Sequence, residues 1–64
     1  IMVTDMFLEG VMLGTQDNNV AIINGKVLKE NDKIGDFTVF EIKSDMVVLI
    51  KDNKRFELRL KKEE

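Results

Sequence analysis

Cysteine, histidine, proline, tryptophan and tyrosine are all absent from this 64-residue chain. Without histidine, cysteine or tyrosine, the commonest general base and the strongest nucleophile are missing. No disulfide can brace the fold, and a reducing or an oxidising compartment would accept the chain equally. No His/Cys spacing for a transition metal exists. No apolar run approaches the roughly 20 residues of a membrane helix. The chain opens on Ile1, and it reads as a domain excised from a longer protein whose targeting segment lies upstream.

What is present describes one small globular unit spanning residues 1–64. Hydrophobic residues make up 44% and charged residues 34%, a balance that supports a packed core and argues against disorder. A chain this short buries only about 60% of its unfolded surface, so a single core is all it can build. The formal net charge is −2, which argues against broad capture of nucleic acid or anionic membrane by charge alone.

Short runs rich in valine, isoleucine and phenylalanine alternate with polar turns, the composition of strands, and no helical stripe interrupts them. Arg55 to Lys61 alternates without error, with Phe56, Leu58 and Leu60 on one face and charges on the other. Met46 to Lys51 reads as a more buried strand, joined to the last by a tight turn at Asp52-Asn53. Asn24-Gly25 predicts a second hairpin between Val20–Ile23 and Lys26–Leu28. Phe37 to Lys43 forms a further strand, and a long first strand runs from about Asp5 to Leu13 with Gly10 as a bulge or bend. Thr15 to Asn19 is a loop. The pattern predicts an all-β fold, a six-stranded two-sheet β-sandwich, with a small SH3-like barrel as the alternative. The charged tail Lys61-Lys62-Glu63-Glu64 is expected to fray.

A search for chemistry returns turn residues. Ser44 is the lone serine and stands beside Asp45, in a context that reads as a turn capping its own backbone. Asp32 and Asp36 bracket Lys33-Ile34-Gly35 and read as turn carboxylates. Asp17-Asn18-Asn19 lacks the alternating ligands of a calcium loop, so no catalytic, cofactor or metal residue is predicted. Six of the ten basic residues (Lys51, Lys54, Arg55, Arg59, Lys61, Lys62) gather towards the C-terminus. That arrangement leaves a small cytoplasmic barrel binding single-stranded nucleic acid as the alternative function. Glu57 interrupts the basic face, and the phenylalanines that would stack bases look committed to the core.

The first strand is unusual because both of its alternating sets are apolar: Met6, Leu8 and Met12 on one, Phe7, Val11 and Leu13 on the other. A strand of a small domain normally buries one face. Either this strand is covered on both sides, or one apolar side or its open edge receives a partner.

The stretch Val20-Ala-Ile-Ile-Asn-Gly-Lys-Val-Leu-Lys-Glu-Asn-Asp-Lys-Ile34 resembles the signature of small periplasmic domains in type II secretion and type IV pilus machines. Their pattern continues with a Val-x-x-Ile strand, here Val39 to Ile42, an Asp-x-Val-x-Leu strand, here Asp45 to Leu49, and a final alternating strand around Phe56-Glu57-Leu58. Leu8-Glu9-Gly10-Val11 is similar to the opening strand of that pattern. The likeness is to the homology-region domain of type II secretion protein C (GspC) and to the pilus-assembly protein PilP. Asn31-Asp32 stands where those families usually carry Gly-Asp. The resemblance implies a two-sheet sandwich in the periplasm, part of an envelope protein anchored in the inner membrane. It implies docking onto the N-terminal periplasmic domains of the outer-membrane secretin, alongside other inner-membrane assembly proteins of the same machine, with no nucleic acid, no cofactor and no catalysis. By position, Phe7, Leu8, Val11 and Met12 would carry the docking.

Overall fold

The computed structural model describes residues 5–60, with the side chain of Asp17 excepted. The expectations for Lys61, Lys62 and the frayed tail lie outside the described residues. Within them the chain folds as β1 (Leu8–Met12), β2 (Val20–Ile23), β3 (Lys26–Lys29), β4 (Lys33–Ile34), β5 (Phe37–Ile42), β6 (Met46–Lys51) and β7 (Lys54–Arg59), with one short 3-10 turn at Thr15–Asp17. β1, β2 and β3 form a three-stranded antiparallel sheet, and β4 to β7 a four-stranded one in sequence order. The strands number seven, not six: the two residues Lys33 and Ile34, expected as a turn, pair with Thr38 and Phe37 as a minimal hairpin.

Two of the turns have the conformation their residues call for. Asn24 and Gly25 both have positive φ (52° and 78°), as do Asp52 and Asn53 (52° and 61°). That geometry matches the twist of a two-residue hairpin, and asparagine, aspartate and glycine tolerate it best. Each turn fixes the register beside it, setting Ile23 opposite Lys26 and Lys51 opposite Lys54.

The inner faces of the sheets meet in one core. Leu8, Ala21, Ile23 and Leu28 contribute from the first sheet, and Ile34, Phe37, Val39, Ile42, Val47, Leu49 and Leu58 from the second. Phe56 packs edge-on against Phe37, ring centroids 5.4 Å apart, a geometry that matches the positive ring edge to the negative ring face. β6 is one of the two interior strands of its sheet, and Met46 and Val48 on its other side are buried too. They lie opposite Arg59 and Glu57, whose aliphatic stems can shield them. The sheets touch edge to edge as well, through a parallel bridge between Leu8 and Leu60.

Two bulges depart from simple alternation. In β1 the register shifts between Leu8 and Gly10, leaving Glu9 as the extra residue. In β5 it shifts between Val39 and Glu41, leaving Phe40 extra. A bulge reverses the parity of the residues after it. Val11 therefore joins Leu8 on the inner side and Met12 joins Phe7 outside, which corrects the face assignment expected from counting by twos. The phenylalanines also divide: Phe37 and Phe56 pack in or against the core, whereas Phe7 and Phe40 are exposed at 58% and 57%.

Candidate functional site

The exterior of the three-stranded sheet carries three of the five large exposed hydrophobic residues among the described ones, Phe7, Met12 and Val27. Cross-strand partners share a face, so the pairs Gly10–Ile22 and Met12–Val20, with Ile22–Val27 and Val20–Lys29, define the outward positions. Met12 and Val27 are exposed at 61% and 65%, and Val20 and Ile22 are half-buried. Phe7 points the same way, since it precedes the inward Leu8.

Of the four residues expected to dock a partner, the structure thus presents two side chains outward. Phe7 and Met12 stand in solvent, Val11 packs against the core, and Leu8 is 1% exposed within it. Leu8 and Val11 bear on this surface through the backbone they hold in place. The expectation had no role for Val20, Ile22 and Val27. The signal was present in Val20-Ala21-Ile22-Ile23, which is apolar at both parities just as the first strand is.

The local chemistry holds this strand rigid. The Phe7 N–H donates to Asn24 Oδ1 at 2.8 Å, the Asn24 N–H donates to the Phe7 carbonyl at 3.1 Å, and Asn24 Nδ2 donates to the Asp5 carbonyl at 3.1 Å. The bulge residue Glu9 turns its carboxylate to the Gly25 N–H. One turn therefore grips β1 on both sides of Leu8.

Each edge of this sheet has one covered and one open backbone position. Ile23 and Lys26 flank a two-residue turn, which makes theirs a hydrogen-bonded pair. Alternation then sends the backbone groups of Val27 and Lys29 outward from β3. Those of Lys29 are already met: Asp32 Oδ2 accepts from its N–H at 2.9 Å and its carbonyl accepts from the Asp32 N–H at 3.0 Å. By the same alternation, the groups of Val11 face away from β2. Beyond the Leu8–Leu60 bridge, β1 has no further strand neighbour on that side among the described residues.

The other groups weighed from the sequence do not converge. Ser44 and Asp45 are exposed at a bend, and Asp32 is committed to Lys29 while Asp36 is exposed in the β4–β5 turn. Among the described residues no group of three or more acidic side chains is placed to hold a metal ion, and no helix is long and apolar enough to cross a membrane. On the exterior of β7, Arg59 contacts Glu57 at 3.4 Å, and Lys51 Nζ sits 5.3 Å from the Phe37 ring centroid.

A model of the type II secretion system protein B family matches residues 8–60, a span that takes in every strand from β1 to β7. The chain belongs to that family. Of the two machines the resemblance named, the match is to type II secretion, and the matching component is protein B, where the resemblance named protein C and PilP. No curated protein and no solved structure matches the chain. Family membership gives the domain a type II secretion-associated role in the cell envelope, working with other components of that machine.

Proposed function

We propose that this domain is a non-catalytic periplasmic adaptor of a type II secretion machine. It belongs to a membrane-anchored parent chain and docks onto the N-terminal periplasmic domains of the outer-membrane secretin. The single observation that carries the docking surface is an exposed Phe7 and an exposed Met12 on one face, either side of Gly10, of a strand whose backbone is pinned by Asn24. A backbone already held in place avoids the cost of ordering it when a partner covers the strand. The free edge of β1 also carries an open backbone position at Val11, which suits main-chain pairing with a partner. A surface this small covers on the order of 400–800 Å² per partner, the scale of weak, reversible contacts.

The test is an NMR titration of the chain with recombinant secretin N-terminal fragments. Shifts should gather on residues 7–13 and on Val20, Ile22 and Val27. Shifts confined to the exterior of β5 to β7 would move the docking surface elsewhere, and silence at high fragment concentration would remove the secretin as partner.

A further inference from the structure

Gly10 occupies the centre of the outward face of β1, just after the bulge residue Glu9, and neither its φ nor the space around it requires glycine there. Its φ lies outside the left-handed region, and an added Cβ would meet only Ile22 Cδ1 within 4 Å, at the ordinary contact distance of 3.8 Å. A strand is weakened by glycine, through backbone entropy and a missing side chain. What the missing side chain leaves is a recess. Phe7 and Met12 project on either side of it along the chain, and Ile22 forms its flank on the neighbouring strand.

The register adds a charge. Among the outward positions that pair across the three strands, Lys29 is the one ionisable residue; the exposed bulge residue Glu9, beside Gly10, has its carboxylate engaged by the Gly25 N–H. The Lys29 side chain is exposed and makes no ion pair among the described residues. It lies two strands across from Met12, so it stands on the order of 12 Å from Gly10, given strand spacings near 4.8 Å and about 6.7 Å between alternate residues.

We propose that the recess over Gly10 receives one bulky apolar side chain from an extended segment of the protein partner that crosses the outer face from β1 to β3, while a carboxylate of the same segment meets Lys29. Residues four apart on an extended strand share a face and span about 13 Å, so the two partner groups are separated by three residues. The inference rests on the docking reading above and gives that surface its specificity: shape at Gly10, charge at Lys29.

The 64-residue chain and its variants are titrated with the recombinant secretin N-terminal region, with thermal unfolding followed in parallel. Gly10→Ala should keep or raise the melting temperature while weakening binding, and Gly10→Leu should weaken it by about tenfold or more through steric exclusion. Lys29→Glu should weaken binding about tenfold, with Lys29→Arg close to the parent. Phe7→Ser serves as the control for the surface as a whole. Loss of binding in Phe7→Ser with parental binding in Gly10→Leu overturns the recess and leaves the docking surface standing. Parental binding in Phe7→Ser, or no binding by the parent chain, removes both. Unfolding of Gly10→Ala overturns the premise that the fold does not need this glycine.

Discussion

Asn24 and Phe7 hold each other by the backbone: the Phe7 N–H donates to Asn24 Oδ1 at 2.8 Å, and the Asn24 N–H donates to the Phe7 carbonyl at 3.1 Å. A residue chosen for its left-handed turn conformation, φ 52°, thereby also fixes the entry to the first strand, 17 positions earlier in the chain.

Asn24→Gly separates these two duties. Glycine keeps the positive φ at no steric cost but removes the side-chain bonds to Phe7 and Asp5. The expected loss is about 1–2 kcal/mol, from two exposed hydrogen bonds. Faster hydrogen exchange at the Phe7 amide should accompany it, with the β2–β3 hairpin intact. Unchanged exchange at Phe7 would show that the staple is not closed in solution.

Leu8 and Met12 sit four residues apart on one strand and should respond oppositely to truncation. Leu8→Ala opens a cavity in the core and should cost about 2–5 kcal/mol by chemical denaturation. Met12→Ala, at a site in solvent, should stay within about 0.5 kcal/mol. Similar losses at both would contradict the bulge at Glu9 that sends them to opposite sides.

Gly14 contrasts with Gly10. A Cβ at Gly14 would collide with the Asn18 carbonyl oxygen, at the 3-10 turn that leads into β2. Gly14→Ala should therefore lower the melting temperature by several degrees, the equivalent of about 1 kcal/mol in a domain of this size, while Gly10→Ala does not.

The Arg59–Glu57 pair joins two exposed side chains at 3.4 Å. Such a pair contributes little because water screens it and two flexible side chains must be ordered. Glu57→Gln should leave stability unchanged within about 0.5 kcal/mol, at low and at high salt alike. A marked salt-dependent loss would point to a larger charge network on β7.

Much of the fold was legible because its cues are local. Asn24-Gly25 and Asp52-Asn53 are turn sequences whose backbone demand is met within two residues, and they appear as the expected hairpins. The even alternation of Phe56, Leu58 and Leu60 put them on the core side. Lys33–Ile34 was missed as a strand because two residues carry no period; pairing with Phe37 and Thr38 defines it. Phe40 was expected inside because phenylalanine in an apolar run usually is, yet it follows the inward Val39 and so faces out, and the bulge beside it returns Ile42 to the core.

Residue order alone established that this chain is made of strands, where its corners lie, and that its first strand carries more apolar surface than one core face requires. Which of those apolar residues face solvent was left to the packing of the strands. An extra residue at Glu9 shows itself only when β2 supplies the opposing register, and that one-residue offset turns Val11 towards the core, half-buried, and Met12 outward. Turn conformation is settled over a few bonds, but the side a residue takes depends on the strand across from it.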